Sequence, residues 1–384
     1  DRSPLPHYDL AIIGTGSGNS ILSPEFDDWS VDLCERDVFG GTCLNRGCIP
    51  SKMFIYAADI AQHARQAGRL GVDVTLDGVR WAEIRDRVFG RIDPIVEDGE
   101  RYRTEECENV TVYRGDAHFR GPSHLAVGRD EFTADRIVLA AGARPWVPPI
   151  PGLDTVDYHT SDTIMRIEEL PERLVVLGGG YIGAELAHVF DAFGVEVRIV
   201  NRSPVLLRHE DDDISRRFTA VMGERLDLHM DVNVDVVRPL GDGVELDLDD
   251  GTRVEGDMLL IATGRWPSGD LLHVEAGGVD RHADGRVVVD DTGATTAPGV
   301  WALGDVSSPH QLKHVANHEA AVVAHNLLHP DEPRRIDHRA VPHAVFGDPQ
   351  VASVGLTERQ ARAEGLDYSV AIRSYGDTAY GWAM

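Results

Sequence analysis

The 384-residue sequence predicts an α/β fold built around two Rossmann-like units. Two observations lead to this prediction. One apolar strand runs into a glycine-rich turn at Gly14, and a second runs into another glycine-rich turn at Gly178. A further strand follows each turn and ends in a polar residue, Glu35 in the first unit and Asn201 in the second. Strand, glycine turn, helix and strand in this order form the unit that binds a dinucleotide.

The first glycine turn departs from the full GxGxxG pattern. It contains Gly14, Gly16 and Gly18 around Ser17, but Asn19 stands where the last glycine is expected. With Asn19 at this position, we no longer expect the following helix to pack closely against the strand. A proline soon afterwards interrupts that helix. The glycines still let the backbone approach a pyrophosphate.

The second glycine turn is complete, with Gly178, Gly180 and Gly183 at the expected spacing. A single GxGxxG is weak evidence for a nucleotide site. Two copies, each between strand and helix patterns, predict sites for two nucleotide cofactors.

The residue that ends each second strand distinguishes the two cofactors. Glu35 offers a carboxylate for ribose hydroxyls, which suits the adenosine half of FAD or NAD. The second unit has Asn201 followed by Arg202, with Arg208 further on. Arginines without a carboxylate suit a 2′-phosphate and therefore predict NADPH, although Arg208 could also be an ordinary surface residue.

Two of the four cysteines, Cys43 and Cys48, lie in the stretch "GGTCLNRGCIPSK". A zinc site needs about four ligands, and neither Cys34, in an apolar strand, nor the isolated Cys107 completes one. We therefore expect no metal. A structural disulfide is disfavoured in a reducing compartment, which leaves a redox-active pair.

The residues after this pair favour a reactive thiol. The stretch "CIPSKMFIYAADIAQHARQ" has a helical pattern and begins at Cys48, with Lys52 one turn further on. A helix N-terminus and a nearby ammonium group both lower the pKa of a thiol.

The composition limits the partners and the location. The chain has 37 Lys and Arg against 64 Asp and Glu, a formal net charge of −27. Such a surface repels nucleic acid and anionic lipid. No apolar run is long enough to span a bilayer, and the sequence begins without a signal-peptide pattern. We expect a cytoplasmic protein that binds neither nucleic acid nor membrane.

The stretch "GGTCLNRGCIPSK" resembles the active-site signature of the flavoprotein disulfide reductases, a family that includes lipoamide dehydrogenase, glutathione reductase and mercuric reductase. The first glycine turn, "AAGARP", the second glycine turn, "ATGR" and "LGD" follow in the family's order. The resemblance implies an α/β fold with two Rossmann-like dinucleotide-binding domains, one for FAD and one for NADPH, plus the start of an α+β dimerisation domain. The implied boundaries are 1–147 for the first part of the FAD domain, 148–266 for the NADPH domain, 267–338 for the second part of the FAD domain and 339–384 for the dimerisation domain.

The resemblance also assigns residues to the two cofactors. Those implied for FAD are Gly14, Gly16, Ser17, Gly18, Glu35, Gly41, Thr42, Lys52, Ala117, Ala141, Gly142, Arg265, Gly304 and Asp305. Those implied for NADPH are Gly178, Gly180, Tyr181, Ile182, Gly183, Glu185, Arg202, Arg208 and Gly264.

The implied catalytic residues are Cys43, Cys48, Lys52, Glu185 and Tyr181. In the family pattern Tyr181 covers the nicotinamide site, and Lys52 pairs with Glu185 near the flavin. Cys48 is the thiol beside the flavin. Cys43 attacks the substrate disulfide, and Cys48 resolves the mixed disulfide.

The family's His-Pro-x-x-x-Glu acid–base motif is expected beyond residue 384, in the rest of the dimerisation domain. We therefore expect either a fragment or an incompletely described chain, and we assign no proton donor. The pair His329-Pro330 lies too early to fill that role. The full-length form is implied to be a homodimer.

Five further stretches favour one subgroup of the family, whose substrate is mycothione, the disulfide of mycothiol. They are "GTGSGNS", "FGRIDPI", "DYHTSDTIMRI", "LKHVANHEA" and "YGDTAYGWAM". Three alternatives remain: a glutathione reductase-like enzyme, a lipoamide dehydrogenase-like enzyme, and a flavin-binding redox regulator without enzymatic activity.

Overall fold

The computed structural model describes residues 4–383, which form a mixed α/β structure. The strands are β1 (His7–Ile13), β2 (Val31–Glu35), β3 (Val110–Arg114), β4 (Ala117–Gly121), β5 (His124–Val127), β6 (Asp130–Leu139), β7 (Ala143–Pro145), β8 (Arg173–Leu177), β9 (Glu196–Asn201), β10 (Asp227–Met230), β11 (Val234–Leu240), β12 (Gly243–Leu248), β13 (Arg253–Gly256), β14 (Met258–Ile261), β15 (Arg265–Pro267), β16 (Val300–Ala302), β17 (Pro342–Val345) and β18 (Val351–Val354). The α-helices are α1 (Gly41–Asn45), α2 (Cys48–Gln66), α3 (Trp81–Arg101), α4 (Tyr181–Ala192), α5 (Asp212–Met222), α6 (Lys313–Leu328), α7 (Glu358–Ala363) and α8 (Ala379–Ala383).

The first unit is a seven-stranded sheet in the order β3-β2-β1-β6-β5-β4, with β16 also paired to β6. Strands β3, β2, β1, β6 and β16 run parallel, whereas β5 and β4 continue the sheet in antiparallel pairs. Leu10 and Ile12 of β1 belong to one hydrophobic cluster and Ala11 and Ile13 to another. A parallel strand that is covered on both faces explains this unbroken apolar run.

The second unit is a parallel four-stranded sheet in the order β10-β9-β8-β14. The antiparallel sheet β11-β12-β13 packs on one face of it, where Val175 and Leu177 share a cluster with Leu246. Leu174 and Val176 point into the other cluster, towards α4. In each unit, the strand that leads into the glycine turn, β1 or β8, has a parallel neighbour on both sides.

A short ribbon connects the two units. Strand β7, on the path out of the first unit, pairs antiparallel with β15, on the path back. Strand β16 then returns to the first sheet beside β6. The boundary expected after residue 147 lies just past β7, and the one expected after residue 266 falls within β15; both stay predictions.

The C-terminal segment begins with the antiparallel hairpin of β17 and β18, followed by α7. Thr357 caps α7 by accepting a hydrogen bond from the backbone of Gln360, whose side chain accepts one from the Thr357 backbone. Within residues 4–383, no helix combines the length and apolar character needed to cross a bilayer.

Candidate active site

The two glycine turns have the same geometry. Gly14 has a φ of +111°, and a Cβ there would lie 2.3 Å from the carbonyl oxygen of Ala140. Gly178 has a φ of +118°, and a Cβ there would lie 2.3 Å from the carbonyl oxygen of Ala262. Each turn therefore passes against the end of the neighbouring parallel strand at a position that admits only glycine.

The chain after the first turn differs from the prediction. The α-helix expected there is absent, and two short 3₁₀-helices, Gly18–Ile21 and Pro24–Phe26, take its place. Pro24 is the first residue of the second 3₁₀-helix, and Asn19 in the first accepts a 2.8 Å hydrogen bond from Arg103. Close packing comes from Gly18, where a Cβ would lie 2.6 Å from the Cβ of Ala140.

The second turn leads directly into α4, which begins at Tyr181. A Cβ on Gly183 would lie 2.2 Å from the carbonyl oxygen of Gly178, so the first turn of the helix packs against the turn that precedes it. A Cβ on Gly180 would have no atom within 4 Å. Gly180 therefore leaves open space beside the helix N-terminus, where a phosphate could approach.

Glu35 and Asn201 occupy equivalent positions in the two units. The backbone N–H of Thr15, directly after Gly14, donates to Glu35 Oε2 at 3.0 Å. The backbone N–H of Gly179, directly after Gly178, donates to Asn201 Oδ1 at 3.1 Å. The second unit thus keeps the hydrogen bond that closes the turn but lacks the negative charge.

Arg202 and Arg208 lie on the exposed side of the loop that follows Asn201. Within residues 4–383 neither guanidinium forms an ion pair, whereas the backbone carbonyl of Arg208 accepts a hydrogen bond from Arg359 at 3.1 Å. The loop that follows the uncharged Asn201 therefore carries two exposed cations.

A cavity of about 1240 Å³ opens in front of the first turn and extends to α4 and the C-terminal hairpin. All of the residues implied for FAD except Gly18 line it. Of the residues implied for NADPH, Tyr181, Ile182 and Glu185 line it, and the others lie outside its lining. The constricted first turn, the carboxylate of Glu35 and the size of the cavity fit a bound dinucleotide such as FAD.

Cys43 and Cys48 both face this cavity as free thiols. Cys43 lies in the short helix α1, and Cys48 is the first residue of α2, as the sequence pattern predicts. The backbone N–H of Arg46, between them, donates to the Thr42 carbonyl at 2.8 Å and closes the loop. The loop thus brings together two thiols that are five positions apart.

The surroundings make the two thiols unequal. A hydrogen bond from the Cys43 thiol lowers the pKa of Cys48 to about 7, and the charge of Lys52 acts in the same direction against the opposing effect of burial. The same hydrogen bond, together with burial, raises the pKa of Cys43. In the reduced pair the thiolate therefore resides on Cys48, while Cys43 keeps its proton.

Lys52 and Glu185 form an ion pair between α2 and α4. Lys52 Nζ lies 2.9 Å from Oε1 and 2.7 Å from Oε2 of Glu185, whose side chain is only 6% exposed. The backbone N–H of Phe346 donates to Oε1 at 3.0 Å, and the Phe346 ring covers Lys52 with 4.8 Å between Nζ and the ring centroid. The buried carboxylate is therefore fully paired.

Sequence reasoning assigned no role to Phe346 or to Lys313. Lys313, the first residue of α6, lines the cavity and donates to Ser17 Oγ at 2.8 Å. Its charge lowers the pKa of both Cys43 and Cys48, although other effects dominate for each thiol. The only sequence signal for Lys313 was its place in "LKHVANHEA", because its contact with Ser17 spans most of the chain.

Arg265 and Asp305 lie close together in the lining of the cavity. Arg265 Nε is 4.0 Å from Asp305 Oδ2, and the Arg265 side chain is 6% exposed.

Within the described part of the chain, no group of three or more His, Cys, Asp or Glu side chains is arranged to bind a metal ion.

Family models match almost the whole chain. The pyridine nucleotide-disulphide oxidoreductase model matches residues 8–324, and the dimerisation-domain model of the same name matches residues 341–384. The chain belongs to the pyridine nucleotide-disulphide oxidoreductase family. This result confirms the predicted fold class and the resemblance to the flavoprotein disulfide reductases.

Individual members of the pyridine nucleotide-disulphide oxidoreductase family are similar to this chain over most of its length. The chain is 55% identical to mycothione reductase of Mycobacterium tuberculosis, over 98% of this chain and 84% of the relative. It is 35% identical to dihydrolipoyl dehydrogenase of Halobacterium salinarum, over 94% of this chain and 78% of the relative. Among solved structures, the HOCl-induced flavoprotein disulfide reductase RclA from Escherichia coli matches with a TM-score of 0.82 and 31% identity, over 94% of this chain and 80% of that chain.

As a member of this pyridine nucleotide-disulphide oxidoreductase family, the chain is a flavoprotein enzyme that uses FAD and NAD(P)H and acts on a disulfide. The individual cofactor and catalytic residues stay predictions.

Proposed function

We propose that this protein is an NADPH-dependent reductase of mycothiol disulfide. The observation that carries the proposal is the Cys43–Cys48 pair, which faces the cavity within the influence of the Lys52–Glu185 ion pair. The 55% identity to mycothione reductase over nearly the whole chain supports this substrate among those of the family.

FAD would lie in the cavity, with its pyrophosphate at the Gly14 turn, its adenosine ribose at Glu35 and its ribitol at Asp305. NADPH would approach the Gly178 turn from the side of α4, where Tyr181 lines the cavity. Bound FAD would supply the chemistry that converts a hydride from NADPH into the two electrons needed to open a disulfide. The overall balance is NADPH, one proton and one disulfide giving NADP⁺ and two thiols.

The two cysteines exchange disulfides with the substrate. The Cys43 sulfur attacks one substrate sulfur and breaks the substrate disulfide, and the proton of the Cys43 thiol leaves with the first product, which is released as a thiol. The Cys48 thiolate then attacks the Cys43 sulfur, re-forms the Cys43–Cys48 disulfide and releases the second product. The low pKa of Cys48 suits this resolving role, and Lys52 stabilises its charge between turnovers.

The cofactor preference rests on Asn201, Arg202 and Arg208. An uncharged side chain at the strand end leaves no carboxylate to repel a 2′-phosphate, and the two unpaired arginines can bind one. NADPH rather than NADH follows from this arrangement.

The substrate is tested by comparing disulfides in an NADPH-oxidation assay. Mycothiol carries an amino-sugar–inositol body, whereas glutathione carries carboxylates that need fixed cations. Arg46, in the redox loop, is already paired to Asp37 at 2.6 Å and to Asp162 at 3.7 Å. We expect kcat/KM for mycothiol disulfide to exceed that for glutathione disulfide by at least about 100-fold, or roughly 2.7 kcal/mol. Equal rates, or a preference for glutathione disulfide, would exclude this substrate.

A second candidate is a dihydrolipoyl dehydrogenase, which the 35% identity to the Halobacterium salinarum enzyme favours. This alternative predicts that the protein reduces NAD⁺ with dihydrolipoamide faster than it oxidises NADPH with any small disulfide. The same purified protein distinguishes the two, because each reaction is followed by nicotinamide absorbance.

We further propose that the protein works in the cytoplasm as a homodimer. The chain has only four cysteines, which fits a reducing compartment, and the dimerisation-domain match supports a second copy. Gel filtration with light scattering of the full-length protein tests the dimer.

A further inference from the structure

The first half of the loop 202–211, which carries Arg202 and Arg208, is held by its own unit: Asn201 donates to the carbonyls of Ser203 and Val205, and Leu206 donates to Thr219. The backbone N–H of Leu207 donates to the carbonyl of Gly179 at 2.8 Å, and Ser215 Oγ donates to the carbonyl of Leu207 at 2.7 Å. These bonds hold the middle of the loop beside the glycine turn. They do not reach the residues after Leu207.

The C-terminal hairpin holds the rest of this loop. The carboxylate of Glu210, which is 4% exposed, accepts hydrogen bonds from His343 Nε2 at 2.6 Å and from the Ser353 hydroxyl. His343 lies on β17 and Ser353 on β18, so each strand of the hairpin supplies one donor. A buried carboxylate is costly without such partners, and the loop is therefore held at this point.

Helix α7 holds the same loop from the other side. Arg359 Nη2 donates to the carbonyl of Arg208 at 3.1 Å, and Arg359 Nη1 lies 2.8 Å from Asp212 Oδ1. The backbone N–H of Glu358 donates to Asp211 Oδ1 at 2.7 Å. The C-terminal segment thus holds the loop at Arg208 and at the residues that follow it, whereas Leu207 is held by the loop's own unit.

The hairpin is itself anchored near the active site. Asp348, in its turn, accepts from Arg225 at 3.1 Å and from Gln66 at 3.2 Å. Phe346 donates to Glu185, as described above. The hairpin can therefore act as a fixed support for the loop, since its turn is bonded to α2, to the segment between α5 and β10, and to α4.

We propose that the β17–β18 hairpin and α7 position the 202–211 loop and thereby set the preference for NADPH over NADH. The inference rests on the proposed function, because it assumes that Arg208 binds the 2′-phosphate. It makes His343 and Arg359 positioning residues: they place the backbone that carries the phosphate-binding guanidinium. NADH lacks the 2′-phosphate, so its binding does not depend on where this guanidinium lies.

The test measures reduction of the FAD-loaded protein by NADPH or by NADH in stopped flow, with no disulfide present. We expect H343A to raise the NADPH concentration for half-maximal rate about tenfold, the effect of losing one hydrogen bond to a charged group, and to change the NADH value less than about twofold. H343Q, which keeps a side-chain N–H donor, should restore much of the preference. Equal changes for both cofactors, or no change, would overturn the inference.

Two variants in α7 form a matched pair. R359A removes the bond to the Arg208 carbonyl, whereas R362A removes only an ion pair to Glu358 within the same helix. R359A should weaken the binding of NADPH but not of NADH, and R362A should weaken the binding of neither cofactor. This comparison still tests the inference if H343A fails to fold. Equal behaviour of R359A and R362A would count against positioning by α7.

The variant R208A separates failure of the inference from failure of the proposed cofactor. A lost NADPH preference in R208A but not in H343A or R359A would overturn the role of the C-terminal segment alone. An unchanged preference in R208A would remove the assignment of Arg208, and the inference with it.

Discussion

Lys52 and Glu185, 133 positions apart in the chain, form an ion pair with 2.9 and 2.7 Å between Nζ and the two carboxylate oxygens. Phe346, from the C-terminal segment, adds a backbone N–H to the same carboxylate. Three distant segments thus meet at one buried charge in the cavity that Cys43 and Cys48 also line. The arrangement has both a structural and an electrostatic consequence, because an unpaired carboxylate at this position would be costly.

The variant K52M should destabilise the protein by about 3 kcal/mol, at the lower end for breaking a buried pair, because the Lys52 side chain is 36% exposed. The double variant K52M/E185Q should recover part of this loss, since it removes the uncompensated charge. Thermal unfolding of the FAD-loaded protein measures both. R80A, which breaks the exposed Arg80–Glu83 pair, is the control and should cost less than about 1 kcal/mol. A K52M variant as stable as R80A would contradict the argument.

The features that the sequence predicted well are contiguous in the chain. The two glycine turns, the loop that brings Cys43 and Cys48 to the cavity, and the start of α2 at Cys48 depend on neighbouring residues and can be predicted from short motifs. The prediction of an α-helix after the first turn was wrong. Pro24 and the bond from Arg103 to Asn19 favour short 3₁₀-helices there.

The features that it missed depend on contacts between distant segments. Lys313 meets Ser17 across 296 positions, and Phe346 meets Glu185 across 161. No local pattern encodes such contacts, since each residue alone looks like an ordinary lysine or a core aromatic. They become visible only when the sheets bring the segments together.

The hydrogen bond between the cysteines predicts the order of thiol reactivity. In the reduced protein, Cys48 should be alkylated by iodoacetamide with a midpoint near pH 7, since its thiolate forms above that pH. C43A should shift this midpoint upwards most, K52M less and K313M least, following the sizes of the three effects on the pKa of Cys48. Mass spectrometry of the Cys48 peptide over a pH series measures the shifts. The Cys107 peptide is the internal control and should react alike in all variants. A midpoint for Cys43 at or below that of Cys48 would contradict the location of the thiolate on Cys48.

Asn201 should control the charge preference of the second nucleotide site. N201D keeps the acceptor for the Gly179 N–H but places a carboxylate beside the expected 2′-phosphate. We expect the ratio of NADPH to NADH efficiency to fall at least about tenfold, that is by about 1.4 kcal/mol. N201A is the control. Like N201D, it loses the two hydrogen bonds that the Asn201 amide donates to the carbonyls of Ser203 and Val205; it also loses the acceptor for Gly179, but it adds no charge. A similar ratio in N201D and N201A would show that charge at this position does not select the cofactor.

Gly180 and Gly183 lie three positions apart in the second turn, and their replacement by alanine should have opposite consequences. Gly180 has a φ of −80° and a ψ of −176°, a conformation open to any residue, and a Cβ there would have no neighbour within 4 Å. G180A should therefore keep the melting temperature of the parent protein. Its methyl group would instead occupy the space where the pyrophosphate approaches, and NADPH should bind at least about tenfold more weakly.

A Cβ on Gly183 would lie 2.2 Å from the carbonyl oxygen of Gly178, a backbone atom that cannot move without displacing the turn. G183A should lower the melting temperature, because α4 must shift away from β8 and loosen the packing of both. Thermal unfolding of the two variants without NADPH, followed by NADPH titration of each, distinguishes the two effects. A destabilised G180A with normal NADPH affinity, or a fully stable G183A, would mean that the second turn is not arranged around a bound pyrophosphate in this way.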